Sequence, residues 1–342
     1  MFQTEAIFLH KKGNAEKAFE LRKTTLPSLG TNEVLIESEA FGLNYADVMA
    51  RNGLYREAPP IPCVIGYEVV GKIIQVGSEV DSNLIGKRVL GFCRFGGYGK
   101  HVITKHYAVS EIGEMPFGSA LSLCTQAVTA YYMSDVLAPI QKGDNVLIHA
   151  AAGGVGSILI QLCKRRGATV IAKVGSDKKI DAVLGLGADY AVNYNKVDYA
   201  EEIKRILKGD RLDASFNPVA GSTMKKDLTL LGSGGRLYLF GGSELVGGKF
   251  GILSMLNFLR KMGVLIPVKL MMLSKNILGV NMLKIADNRP NVIQKCLKDV
   301  VNLYQNDEIR VVSGGCFHYT EISKAHKLLE EGQSIGKISI KW

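Results

Sequence analysis

Apolar and polar positions alternate with a period of two over the first third of the chain. Glu5 to Leu9, Phe19 to Arg22, Glu33 to Ala40, Val69 to Val76, Arg88 to Phe92, Gly99 to Thr104 and Tyr107 to Ser110 each read as a short strand, and glycine and proline turns separate them. This portion predicts an all-β domain shaped as a partly open barrel. Between its strands the run GLNYADVMARNGLY sets Asn44, Asp47, Arg51 and Tyr55 on a helical turn and a loop. The pattern then changes. Ala120 to Ser134 has the spacing of a helix with one apolar face, and Val146 to His149 is a short, wholly apolar run. A turn of small residues, Ala150 to Gly156, leads into helical spacing carried by Ile158, Leu159, Leu162 and Cys163, and Ala168 to Val174 resumes as a strand. Further elements are expected at Lys179 to Leu186 (helix), Tyr190 to Tyr194, Leu212 to Asn217 and Gly235 to Gly241 (strands). A helix at Val292 to Tyr304, a strand at Val311 to Gly315, a helix at Glu321 to Glu330 and a strand at Ile338 to Ile340 return the chain to its first domain. The fold class is therefore α/β, with a doubly wound parallel sheet inserted into a β domain. The expected divisions are 1–118, 119–265 and 266–342.

The strand, turn and helix of 146–167 have the form of a dinucleotide site. Small residues let the backbone approach a pyrophosphate, whose charge is met by amide N–H groups and the positive end of the helix. Gly153, Gly154 and Val155 are the candidates, although Ala151 stands where the first glycine of G-x-G-x-x-G is usual. The end of the second strand selects between cofactors. An acidic residue there would bond ribose hydroxyls; this chain has Gly175, Ser176, Asp177, Lys178 and Lys179, and a serine with two lysines suits a 2′-phosphate. NADPH is expected over NADH. Two alternatives stay open: the lysines form a solvated helix start, and Asp177 caps a helix or meets a ribose hydroxyl.

Composition narrows the class. Of 342 residues 47% are hydrophobic and 22% charged, as in a globular protein with room for two domains. The 42 Lys and Arg exceed the 32 Asp and Glu by 10, but the cations are scattered, with no basic tail or aromatic interleaving, so nucleic acid is not an expected partner. The six cysteines stand apart without a C-x-x-C pair, which fits reduced thiols. The start MFQTEAIFLHKKG alternates like a strand and shows no secretory leader pattern. A cytoplasmic location is expected.

The residues quoted so far carry a resemblance. With Gly66 to Gly71, LGLGADYAVNY ending at Tyr194, GGRLYLFG ending at Gly241 and the closing Gly336 to Ile340, they resemble the medium-chain dehydrogenase/reductase superfamily over essentially the full length. The likeness is to its zinc-free quinone oxidoreductase (zeta-crystallin-like) branch, closest to the vesicle amine transport protein homologues. It implies a GroES-like catalytic domain with an inserted Rossmann domain, a homodimer paired through edge strands, and a quinone or α,β-unsaturated carbonyl as substrate. It also implies that Asn44 and Thr129 approach the nicotinamide end of the cofactor, that Tyr194 contacts the 2′-phosphate, and that the backbone at Phe240 and Gly241 borders the nicotinamide. In zinc dehydrogenases of the superfamily a cysteine stands at Asn44 and a histidine at Tyr67, and a four-cysteine lobe is present; all are missing here, so no metal is expected. Tyr55 and Asn44 are then the candidate catalytic residues, with Tyr55 equally readable as loop packing. Asp47 and Arg51 read as an i, i+4 ion pair, Glu68 as a structural residue facing Arg51, and Lys337 as the nearest cation where some relatives carry a phosphate-binding arginine.

Phe250 to Met282 is apolar with Arg260, Lys261, Lys269 and Lys275 interspersed, and charge and Pro267 interrupt it too often for a bilayer span of about 20 residues. Three readings stand: a lid with dimer contacts, which is favoured, a core helix pair, and a basic amphipathic surface for peripheral membrane contact. The expected activity is NADPH-dependent, zinc-independent hydride transfer. The alternative is an NADPH-binding sensor or membrane-associated interaction protein with little turnover.

Overall fold

The structure is a computed structural model describing residues 2–246 and 251–342, with side chains described outside 251–253. Phe250, where the apolar segment was expected to begin, lies outside the described residues. The chain forms two compact units, Met1–Thr129 with Met282–Trp342, and Ala130–Asn281. These divisions differ from the expected ones at 118 and 265 for physical reasons. A helical run over 117–137 carries the chain from one unit to the other without a break, and the strand at 276–279 is hydrogen-bonded into the second unit's sheet.

In the first unit β1 (Phe2–Leu9) and β2 (Phe19–Leu26) form an antiparallel pair. A second, open sheet holds β3 (Glu33–Leu43), β4 (Glu68–Val76), β5 (Arg88–Phe92), β6 (His101–Lys105) and β7 (Val109–Glu111). Tyr107 and Ala108, expected within the last of these, lie in a short helical turn, His106–Ala108. The alternating pattern puts Val34, Ile36, Phe41, Val69, Ile73, Val89 and Val102 into one buried cluster. The helix Tyr45–Arg51 follows β3 directly.

The second unit is a six-stranded, all-parallel sheet. Its strands are β8 (Asn145–Ile148), β9 (Thr169–Val174), β10 (Tyr190–Asn193), β11 (Leu212–Asn217), β12 (Leu231–Leu239) and β13 (Asn276–Gly279), in spatial order β10-β9-β8-β11-β12-β13. The order reverses between β8 and β11, the switch point where such sheets leave a crevice at the strands' carboxyl ends. Two helices, Tyr199–Leu207 and Ser222–Leu230, were not expected from the sequence. The first has a clear start, since Asp198 Oδ1 accepts the Ala200 N–H at 2.9 Å.

The segment after 250 is not a core helix pair. In the helices Gly251–Met262 and Pro267–Leu273, Met255, Leu256, Leu259, Val268, Met271, Met272 and Leu273 are exposed, as are Val264 and Ile266 between them. No described helix is long and apolar enough to cross a membrane. The chain returns to the first unit through the helix Pro290–Gln305, β14 (Ser313–His318), the helix Ile322–Glu330 and β15 (Lys337–Lys341). β15 lies between β14 and β3.

Candidate functional site

In the first unit, register assembles a buried polar cluster. Ile338 lies opposite Leu43 and Phe41 opposite Val69, so the adjoining Lys337, Asn44 and Glu68 meet where β15, β3 and β4 run side by side. Lys337 and Glu68 form an ion pair whose side chains are both fully buried. Asn44 spans it: Nδ2 donates to Glu68 Oε1 (2.8 Å) and Oδ1 accepts from Lys337 Nζ (2.9 Å). Glu68 Oε2 accepts the Thr125 N–H at 2.7 Å, where the 117–137 helix widens by one residue per turn. Gly42 makes room, because a Cβ there would lie 2.6 Å from Lys337 Cε and 2.8 Å from Glu68 Cδ. Each buried charge is thus paired and hydrogen-bonded, the condition under which burial is tolerated.

Three expectations change here. Glu68 faces Lys337, not Arg51, which pairs instead with Glu330 at 2.6 Å. Lys337, enclosed and engaged, is no phosphate ligand. Asp47 makes no ion pair with Arg51. One carboxyl oxygen, Oδ2, accepts the Asn44 N–H at 2.8 Å, and Oδ1 has no hydrogen-bond partner. Burial, outweighing the Asn44 N–H and the Lys337 charge, pushes the Asp47 pKa up to about 8. Tyr55 is half-buried, its ring edge-on to buried Tyr67 at 6.1 Å between centroids, and burial followed by the Glu57 charge raises its pKa to about 12. Its phenol is therefore a weaker acid than usual and stays protonated at neutral pH. Thr129, at the unit's end, turns its hydroxyl into its own helix, donating to Thr125 O at 2.6 Å.

In the second unit the turn after β8 is as tight as its small residues suggest. Ala150 adopts a left-handed φ of 49°, and Gly153 N–H donates to Ala150 O at 2.8 Å. The helix Gly154–Arg165 begins there with Gly153, Gly154 and Val155 partly exposed, and the N–H groups of its first turn have no intrahelical acceptor. Gly156 fixes the packing: a Cβ there would stand 2.6 Å from both Ala150 O and Ala151 Cα.

Beyond β9, Gly175 lies under Tyr194, whose hydroxyl would be 2.8 Å from a Cβ at 175. Ser176 and Lys179 are part-buried and Lys178 exposed, with the Lys179 pKa lowered by burial. Asp177 is otherwise occupied, since Oδ1 accepts from Asn193 Nδ2 (2.7 Å) and Oδ2 pairs with Lys196. Phe240 follows β12 with its N–H on Asn217 O, and Gly241 packs on Pro218, 2.6 Å from Pro218 O to a Cβ there.

Beneath these residues lies a cluster that the sequence reading passed over. Lys173 Nζ is 3.2 Å from His149 Nδ1, over the Tyr199 ring at 4.0 Å and the Tyr194 ring at 4.6 Å. His149 Nε2 meets Asp227 at 2.9 Å. Burial lowers the His149 pKa and brings that of Lys173 down to about 8. A neutral His149 accepting from Lys173 at Nδ1 carries its proton on Nε2 and donates it to Asp227. Burial works to raise the Asp227 pKa, but His149, Ser215 and Tyr199 hold it below the usual carboxylate value. Asn217 completes the group, donating from Nδ2 to Asp227 Oδ2 (2.6 Å) and Thr223 Oγ1 (2.8 Å). The one signal available in the sequence was a lysine inside an otherwise apolar parallel strand.

Two family models match the chain: an alcohol dehydrogenase GroES-like domain over residues 30–130 and a zinc-binding dehydrogenase over residues 154–298. The synaptic vesicle membrane protein VAT-1 homolog of Danio rerio is 29% identical over 341 residues, 98% of this chain and 70% of that protein. A probable quinone oxidoreductase of Schizosaccharomyces pombe is 32% identical over 64% of this chain and 66% of its own length. The solved structure of mycobacterial Rv1454c complexed with NADPH is 25% identical, with a TM-score of 0.86, covering 99% of this chain and 100% of that one.

Proposed function

The chain belongs to the medium-chain dehydrogenase/reductase superfamily, in the quinone oxidoreductase-like branch near the VAT-1 homologues, and from that premise we propose that it is an NADPH-dependent reductase of quinones or α,β-unsaturated carbonyls that works without zinc. NADPH, when bound, supplies a hydride. The observation that carries the reading is the end of β9. Gly175 makes room for the Tyr194 hydroxyl, Ser176, Lys178 and Lys179 follow it in the chain, and the carboxylate among them, Asp177, is held by Lys196 and Asn193. The Gly154 and Val155 amides meet the pyrophosphate, while the Gly153 N–H donates to Ala150 O and, with the Gly156 packing, holds that turn in place. Lys173, over the Tyr194 ring, supports this face from below.

Zinc independence rests on residue type. An amide at 44 and a phenol at 67 replace a thiolate and an imidazole, and Asn44 is already committed to Glu68 and Lys337. Polarising the acceptor then falls to donors such as the Tyr55 hydroxyl, which remains protonated at neutral pH. Fluorescence titration of Lys178→Ala, Lys179→Ala protein tests the cofactor assignment. The double variant should lose NADPH affinity about tenfold or more, the scale of one lost charge-assisted bond, and keep NADH affinity within about twofold. Equal losses for both cofactors would refute the phosphate site.

A second reading has an observation of its own. The exposed apolar residues of 255–273 sit in a stretch where no Asp or Glu occurs between Glu244 and Asp287, while six Lys or Arg do. Such a surface suits an anionic lipid bilayer, and a membrane-docked NADPH-binding protein with little turnover would use it.

A further inference from the structure

Lys173 is a cation in a position built for apolar side chains. It stands in β9 between Ala172 and Val174, both buried, and is itself only 5% exposed. Among the described residues no carboxylate pairs with it directly. Asp227, the acid of the cluster, is supplied by other donors: Tyr199 Oη to Oδ1 at 2.9 Å, Ser215 Oγ to Oδ2 at 2.8 Å, Asn217 Nδ2 to Oδ2 at 2.6 Å, and the His149 ring to Oδ2 at 2.9 Å. His149 stands between the two charges, its Nδ1 3.2 Å from Lys173 Nζ. The result is a buried dipole. Its negative end, Asp227, is fully enclosed, and its positive end lies against the Tyr194 ring, 4.6 Å from Nζ to the centroid.

Tyr194 is fixed along the end of β9. Its N–H donates to Val174 O at 3.1 Å, and the neighbouring Asn195 Nδ2 donates to Gly175 O at 2.7 Å. Its ring lies over the Lys173 ammonium, and its hydroxyl stands 2.8 Å from where a Cβ at 175 would be, so one side chain covers alternate positions of the strand end. Tyr194 is nevertheless 46% exposed, and Ser176 to Lys179 continue from the glycine beneath its hydroxyl. The Lys173 backbone has a separate task, accepting the Ala151 N–H at 3.1 Å, which any residue at 173 performs.

We propose that the Lys173 side chain is a positioning residue that sets the preference for the 2′-phosphate of NADPH, acting through the Tyr194 hydroxyl. The inference rests on the NADPH reading of the β9 end. An ammonium against the face of a phenol holds the ring over the strand end, which keeps the hydroxyl above Gly175. It also draws electron density from the ring, which makes that hydroxyl a stronger donor to an anion. NADH offers no anion there for the hydroxyl to meet. The effect requires a charged Lys173, and burial brings its pKa down to about 8. The groups that face it are neutral His149 from β8, Asp227 and Lys226 from the helix Ser222–Leu230, Asp198 and Tyr199 from the start of the helix Tyr199–Leu207, Tyr194 after β10 and Glu244 after β12. As pH rises through about 8 the ammonium loses its proton, and the preference for NADPH declines with it.

Fluorescence titrations with NADPH and NADH decide it. Lys173→Met keeps the side-chain length and the backbone bond to Ala151, and should lose NADPH affinity about tenfold while keeping NADH affinity within about twofold. In wild type, and in Lys179→Ala as a control for the other amine lowered by burial, the ratio of NADPH to NADH affinity should fall between pH 7 and 9; in Lys173→Met it should be flat. Tyr194→Phe keeps the ring over the lysine and removes the hydroxyl. It should match Lys173→Met, and adding Lys173→Met to it should change NADPH affinity by no more than about twofold. Equal losses for both cofactors in Lys173→Met, or additive losses in the double variant, would overturn the inference, and the cofactor reading would stand if Lys178→Ala, Lys179→Ala protein still loses NADPH selectively. A ratio independent of pH in the wild type would overturn it without any variant at 173. Equal losses for both cofactors in the Lys178→Ala, Lys179→Ala protein would overturn the phosphate site and this inference with it.

Discussion

Lys337 and Glu68 illustrate how little a residue's type says about its task until its neighbours are known. A lysine just after a Gly in a closing strand reads as a surface cation, but register sets it against Asn44 and Glu68, and the missing Cβ of Gly42 gives it space. Asn217 is similar. Its Nδ2 donates to the Asp227 carboxylate, and an acid in its place would face another acid. Glycines in the cofactor turn separate by the same test. Gly154 is partly exposed at the first position of its helix, whereas a Cβ at Gly156 would collide with Ala150 O and Ala151 Cα. Gly154→Val should therefore abolish binding of either nucleotide with a Tm within a few degrees of wild type, while Gly156→Ala should lower the Tm by destabilising the turn by about 1–3 kcal/mol, the range for overpacking. Thermal denaturation with and without NADPH checks both. Unchanged nucleotide affinity in Gly154→Val would remove this turn from the site.

At the scale of elements, strands were more legible than the helices that cover them. β8 and β9 announce themselves as apolar runs, with all of Asn145–Ile148 and all but the first residue of Thr169–Val174 buried, as a parallel sheet covered on both faces demands. The helices Tyr199–Leu207 and Ser222–Leu230 bury only Tyr199, Ala200 and Ile203, and Thr223, Met224, Asp227 and Leu230, and their lysines, glutamates and threonines hid that face. The candidate site was legible where it depends on local sequence, in the turn of 150–156 and the 175–179 stretch. It was illegible where it depends on register or on a partner far along the chain, as in Lys173 with His149 and Asp227, or Tyr98 with His326. The helices Gly251–Met262 and Pro267–Leu273 pose the converse case, apolar elements left exposed. Lys261 is engaged by Glu244 at 2.6 Å, so Arg260 and Lys269 are the cations to reverse. If this surface docks on anionic bilayers, wild-type protein floats with phosphatidylserine-containing liposomes at low salt and Arg260→Glu, Lys269→Glu protein does not. Absence of salt-sensitive flotation by the wild type would dismiss the membrane reading.

Across the whole molecule, the chain begins and ends in one unit and builds its nucleotide fold in between, and each unit has its own kind of chemistry. The first concentrates buried acids, phenols and a paired lysine; the second presents amides, glycines and cations at the carboxyl ends of a parallel sheet. A reductase needs both, a proton source and a place to hold a hydride donor. The most direct test is the rate of NADPH oxidation by chelator-treated protein with a panel of ortho-quinones, para-quinones and enones, with NADH run in parallel. Acceptor-dependent oxidation that prefers NADPH and survives the chelator is the expected result. Bound NADPH without turnover on any acceptor, or turnover that vanishes with the chelator and returns with zinc, would contradict it.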